Sequence, residues 1–167
     1  MSTRLIIFFI FTFNALFSQE DSLKNILLTA KDQSPSDSVT FLISHKWETT
    51  YYLDYSNKKK NQKIIEGSNT QIIFEKDSIC FNGKDVTIQS FMNNGCYQFY
   101  IPNYGKSAPL NVFVFLFDGH YVYELILQIL IVKQNYIVYE VSVPVKNKRG
   151  KWKHEKKGKV FAKRLSV

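Results

Sequence analysis

Two cysteines, four prolines, seven glycines and three histidines in 167 residues leave several classes of protein out of reach. Cys80 and Cys96 alone cannot build a disulfide-dense small scaffold or a four-cysteine zinc site. So little glycine and proline excludes collagen-like and low-complexity chains. His45, His120 and His154 are scattered, with no pair at the i, i+2 or i, i+4 spacing of zinc ligands. No Gly-x-Ser-x-Gly turn presents a nucleophile, and no glycine-rich loop is shaped for phosphate. Asp77, Asp85 and Asp118 fall at turns, where Asp serves local hydrogen bonding. Glu124 and Glu140 lie in apolar, strand-like runs and are read as facing outward to solvent. No catalytic residue, cofactor site or metal site is therefore assigned, and the chain is expected not to be an enzyme.

Charge is also missing from the start of the chain. Arg4 is the only charged residue before Glu20, and Leu5–Phe17 is almost purely apolar. A basic n-region, a 13-residue apolar run and Ser18 at a small-residue cut describe a cleavable signal peptide over 1–18. Such a run spans about 20 Å as a helix, short of the roughly 30 Å hydrocarbon core. No cysteine stands at the cut, so no lipid anchor is indicated, and no later segment is long enough to span a membrane. The expected location is secreted or periplasmic.

What the chain does have is aromatic and apolar side chains in a period of two. Aromatics make up 16% and apolar residues 45%, enough for a single folded domain rich in strands. Glu20–Lys31 reads as a short helix, with Leu23, Ile26, Leu27 and Ala30 on one face. Ser34–Ser38 is a linker, so 19–38 forms a helix and linker ahead of a domain over 39–167. Strands are expected at Thr49–Tyr55, Gln71–Glu75, Ser78–Phe81, Val86–Phe91, Cys96–Ile101, Asn111–Phe117, Tyr136–Val143 and Lys159–Leu165. Asn57–Asn61 and Asn93–Gly95 supply turn chemistry, and Pro102–Pro109 and Pro144–Lys151 are expected loops. Tyr121–Lys133 is read as strand over helix for its β-branched and aromatic content. Asn111–Phe117 is apolar on both faces, so its outer face is expected to be covered, with the N-terminal helix as candidate cover. Short strands at spacings of roughly 8–12 residues argue an all-β barrel or sandwich.

Several motifs fall in a familiar order. Trp47 follows the apolar run Val39–Ile43 at the start of the first strand. Ile72–Glu75 and Ile79–Gly83 form a strand–turn–strand middle, and Gly95-Cys96-Tyr97 opens a strand. Tyr121–Leu125 and Leu130–Val132 form a late pair, and Phe161–Arg164 a basic closing strand. In this order the chain resembles the lipocalin-like family of exported bacterial proteins. The resemblance implies an antiparallel up-and-down β-barrel of about eight strands, preceded by a short N-terminal helix. It also implies a polar turn between the two members of the late pair. Trp47 would then close one barrel end, and an apolar lumen would take a small apolar or amphipathic ligand.

The cysteines and the charge complete the expectations. If residues 78–101 form a three-stranded meander, Cys80 and Cys96 lie two strands apart, roughly 9–10 Å. A disulfide needs Cα atoms within about 7 Å, so two buried thiols are expected. Residues 144–167 hold ten Lys/Arg against Glu155 alone, +9, while residues 19–143 carry −2. The basic character thus belongs to the C-terminal face 146–164. Lys148, Arg149, Lys151, Lys153, Lys156 and Lys157 are its candidate polyanion-binding residues, with Trp152 and Phe161 interleaved. Two functions follow: a carrier of a small hydrophobic ligand, or a secreted protein whose basic face docks an anionic envelope component or an acidic protein. Intracellular nucleic acid is not an expected partner of an exported chain.

Overall fold

The computed structural model describes residues 22–31 except 24, 38–55, 64–83 except 68, 95–102, 109–117 and 122–166. The chain divides into two units, Met1–Ala30 and Lys31–Val167. In the first, residues 22–23 and 25–29 are helical and form α1, where Thr29 Oγ1 donates to the Asn25 carbonyl.

The second unit opens with α2 (Ser38–Ile43), where the sequence suggests only an apolar run. Nine strands follow among the described residues: β1 (Lys46–Asp54), β2 (Ile64–Glu66), β3 (Gln71–Phe74), β4 (Ser78–Asn82), β5 (Gly95–Tyr100), β6 (Leu110–Phe117), β7 (Val122–Val132), β8 (Tyr136–Lys146) and β9 (Trp152–Arg164). All pairings are antiparallel, and β1 also pairs with β9, so the sheet closes on itself. β2 and β3 share one edge of β1 in succession and act as a single interrupted strand. Thr49 bridges the interruption, its N–H donating to the Thr70 carbonyl and its Oγ1 accepting from Thr70 N–H at 3.0 Å. The result is the expected closed, up-and-down barrel of eight strands with short helices before it. Closure removes the open edges that would invite pairing with other chains.

The period-two pattern decides which side chains fill the barrel. Val112 and Val114 on β6, Leu125 and Leu127 on β7, and Ile137, Tyr139 and Val141 on β8 are at most 1% exposed and belong to one apolar cluster. Trp47, Ile72, Ile79, Val160 and Ala162 extend that cluster around the remaining walls. One end is closed by α2: Leu42 is fully buried, and its carbonyl accepts the Trp47 indole N–H at 2.9 Å. Phe41 and His45 flank the indole at 6.0 and 6.1 Å between ring centroids.

Several expectations are corrected. Cys80 and Cys96 are disulfide-bonded, not free thiols. β4 pairs directly with β5 and sets Cys80 opposite Cys96, with Cα atoms 4.0 Å apart. The strand expected at Val86–Phe91, which would have separated them, lies outside the described residues, as do the Asn57–Asn61 loop, His120, Asp85 and Asp118. Closing a loop of this size contributes about 3 kcal/mol by constraining the unfolded chain. The expected strand Tyr121–Lys133 is found over Val122–Val132, and those residues contain no polar turn. β7 runs unbroken from Val122 to Val132 with an irregularity between Ile129 and Ile131, and the turn comes after it. β2 is new, too short to register as a pattern. On β6 the outward Phe113 and Phe115 are half-buried, whereas Phe117 at the strand end is 72% exposed, against the expectation of a covered face. The expected loop Pro144–Lys151 is shorter than expected, a turn over 147–151: β8 continues through Pro144 to Lys146, and β9 begins at Trp152.

Candidate polyanion-binding arm

That last correction changes the shape of the basic segment. The β7–β8 ladder ends at Ile126–Ser142, and the β1–β9 ladder ends at Asp54–Gly158. The β8–β9 ladder continues past both, from Ser142–Lys156 to Lys146–Trp152. Residues 142–157 therefore form a two-stranded arm whose base is still packed on the barrel at Val143 and Pro144, while its turn over 147–151 lies beyond the β1 and β7 ladders. Proline explains the split from β7. By continuation of the register, Pro144 stands opposite Glu124, and it has no N–H to donate to the Glu124 carbonyl. His154, paired with Pro144 in the ladder, reaches over and donates from Nε2 to that carbonyl at 2.9 Å. Its ring nitrogen also lies 3.7 Å from the Glu124 carboxylate. His154 is thus a strut between arm and barrel. Trp152 is a second strut, packing edge-on to Tyr123 at 5.2 Å.

The arm's tip is ordered by its own chemistry. Asn147 Oδ1 accepts from the N–H groups of Arg149 and Lys151, and Asn147 and Lys151 close the turn with a backbone bond of 2.9 Å. Gly150 takes a φ of 75°, a left-handed position that glycine holds without strain.

Seven cations lie on the arm against one carboxylate, Glu155. They divide into two sets. Lys156 binds Glu140 at 2.5 Å, and Lys157 binds Glu155 at 3.0 Å. The Lys157 ammonium holds the Glu155 carboxyl below the usual carboxylate range. Lys146, Lys148, Arg149, Lys151 and Lys153 form no ion pair with any described residue, and Lys146 lies 5.3 Å from the Trp152 ring centre. Of the six cations singled out from sequence, Lys148, Arg149, Lys151 and Lys153 are therefore available to a partner, whereas Lys156 and Lys157 are already engaged.

Glu140 anchors the arm's base. It points out of the barrel yet is buried, where sequence suggested a solvated carboxylate. It accepts from Tyr55 Oη at 3.1 Å, binds Lys156, and stands opposite Lys159 in the ladder. Burial lowers the Lys159 ammonium pKa, and the Glu140 charge opposes that shift. Burial, and then the Glu140 charge and hydrogen bond, push the Tyr55 phenol well above its ordinary value. A proton held more tightly in the folded state contributes stability below the unfolded pKa of about 10, and that contribution fades as pH rises beyond it. Tyr55→Phe should therefore flatten the loss of stability above about pH 10, measured by urea unfolding across that range. An unchanged alkaline slope would place the Tyr55 phenol outside this network.

Other reactive side chains serve local structure. His45 donates from Nδ1 to the Phe41 carbonyl at 2.8 Å and receives Arg164 Nη1 at 3.5 Å on Nε2, far along β9 from the arm. Glu75 approaches Cys80 and Cys96, the one grouping of three such donors among the described residues. Its sulfurs are bonded to one another and are not thiolate ligands. Trp47 is fully buried, with its indole N–H on the Leu42 carbonyl. The arm was hidden in the sequence by Pro144, which reads as a loop; the alternation Val143, Val145 before Asn147 and Gly150 was the signal for a hairpin. Set against protein families, curated proteins and solved structures, the chain matches none.

Proposed function

We propose that the protein is an exported, non-enzymatic barrel that docks a polyanion of the cell envelope through its basic arm. The observation that carries this reading is the set of four exposed cations, Lys148, Arg149, Lys151 and Lys153, that form no ion pair with any described residue and cluster at the turn end of the β8–β9 hairpin. Export is read from the apolar run after Arg4 and fits a disulfide between Cys80 and Cys96. Dense anionic charge in a polymer or surface would displace its counter-ions onto these side chains, so binding should weaken steeply with salt.

Heparin serves as a soluble probe. Replacing Lys148, Arg149, Lys151 and Lys153 by Ser should weaken binding by on the order of 100-fold or more, at about 1 kcal/mol per cation. These side chains are exposed and pair with no described residue, so the fold is expected to survive. Raising salt from about 0.1 M to 1 M, which shortens the screening length from about 10 Å to about 3 Å, should have a similar effect on the parent protein. Salt-insensitive binding, or binding indifferent to the four substitutions, would overturn the reading.

A second reading is the lumen carrier implied by the lipocalin-like resemblance. Partly buried Phe74, Tyr97, Phe99 and Tyr123 around the core favour it. Uptake of a fluorescent fatty acid that is unaffected by salt and by the four substitutions would establish it instead.

A further inference from the structure

We infer that the polyanion is the surface of an anionic phospholipid bilayer, and that Trp152, Phe117 and Val122 enter its interfacial layer while the arm's cations hold the headgroups. This rests on the reading of the arm as a polyanion dock and names its partner.

The argument comes from what accompanies the charge. Phe117 is 72% exposed, Val122 64% and Trp152 51%, and all three belong to the same end of the barrel. Phe117 and Val122 are register partners in the β6–β7 ladder, so their side chains leave the same face of the sheet. By continuation of the β7–β8 register Val122 stands level with Lys146, and Lys146 pairs with Trp152, so Phe117, Val122 and Trp152 share one cross-strand row at this end. The three apolar groups thus form a linked series across two neighbouring hairpins. Single exposed apolar residues need no explanation, but a linked series beside cations that pair with no described residue does. Lys146 bends over Trp152, and Lys148, Arg149, Lys151 and Lys153 surround it in the chain.

This pairing matches the two layers of a membrane surface. Indole rings favour the headgroup level, where an apolar body and a polar N–H both find partners. Lysine and arginine stems reach outward to lipid phosphates while their methylenes lie along apolar surface. A soluble anionic polymer offers the charges and gives Phe117 and Val122 no apolar phase to enter. The barrel itself stays outside the bilayer, and the contact is peripheral and reversible.

The test uses the mature protein with vesicles of phosphatidylcholine alone and of phosphatidylcholine with phosphatidylglycerol. The parent should bind only the anionic vesicles. The chain has two tryptophans, and Trp47 is fully buried at the closed end. Lipids brominated along the acyl chain should therefore quench Trp152 alone, and Trp152→Ser should leave only unquenched Trp47 emission. Trp152→Ser should weaken vesicle binding about tenfold, and so should Phe117→Ser with Val122→Ser combined. The Phe117→Ser and Val122→Ser pair should leave heparin binding unchanged, since it keeps the cations and both struts of the arm. Replacing Lys148, Arg149, Lys151 and Lys153 should weaken both. If heparin binding needs the four cations but vesicle-bound protein shows no quenching and no dependence on Trp152, Phe117 or Val122, the inference falls and the basic dock stands. Capture of an acidic protein with no affinity for anionic vesicles would overturn it in the same way. If neither heparin nor anionic vesicles bind, both readings fall together.

Discussion

Trp47→Ala should lower the free energy of unfolding by about 3–5 kcal/mol, the usual result of emptying a buried aromatic site. The indole is fully buried where α2 crosses the closed barrel end. It is fixed on all sides: Ile72 and Arg164 are its ladder partners, the Leu42 carbonyl holds its N–H, and Phe41 and His45 flank its ring. Alanine would leave a void too enclosed to collapse, and it would also strand the Leu42 carbonyl. Trp47→Phe keeps most of the volume and loses the hydrogen bond, so about 1 kcal/mol is expected from that term. Urea unfolding of the two variants checks the pair. Full stability in Trp47→Ala would mean that the indole lines an open site.

The second large effect is expected at Gly158, where β1 and β9 close the barrel. Gly158 stands opposite Asp54 on β1 and Val141 on β8. A Cβ there would collide with the Tyr52 ring and with the Leu53 carbonyl oxygen. Tyr52 lies over the glycine and donates its hydroxyl to the Lys157 carbonyl at 2.7 Å. One collision is with backbone, which cannot rotate away, so Gly158→Ala should cost about 1–3 kcal/mol and Gly158→Val more. Both act at the root of the arm and should broaden its resonances as well as lower the unfolding midpoint. A fully stable Gly158→Val would contradict the close approach of β1 and β9.

The parts legible in the sequence are those fixed by local alternation. Val112, Val114 and Leu116 alternate with Phe113, Phe115 and Phe117, and the first set fills the barrel. Ile137, Tyr139, Val141 and Val143 do the same on β8. Non-local features were not legible. Whether Cys80 meets Cys96 depends on which strands are neighbours, and nothing near either cysteine records that β4 lies against β5. Pro144 looked like the end of a strand because proline breaks ladders. Here it breaks only the ladder on the β7 side and leaves β8–β9 intact, which is what frees the arm. Lys156 and Lys157 looked equivalent to Lys153, since charge counted along the chain does not show that Glu140 and Glu155 face them.

We have proposed that recognition lies on the arm, with the barrel interior as a packed scaffold. Backbone amide spectra of the protein, titrated separately with a heparin oligosaccharide and with a fatty acid, test it directly. The oligosaccharide should shift resonances of residues 146–154 and of Tyr123 and Glu124 beside them, and the fatty acid should leave Val112, Leu127, Tyr139 and Val160 unmoved. Saturable shifts at those interior positions on adding fatty acid, with none along the arm on adding the oligosaccharide, would contradict it.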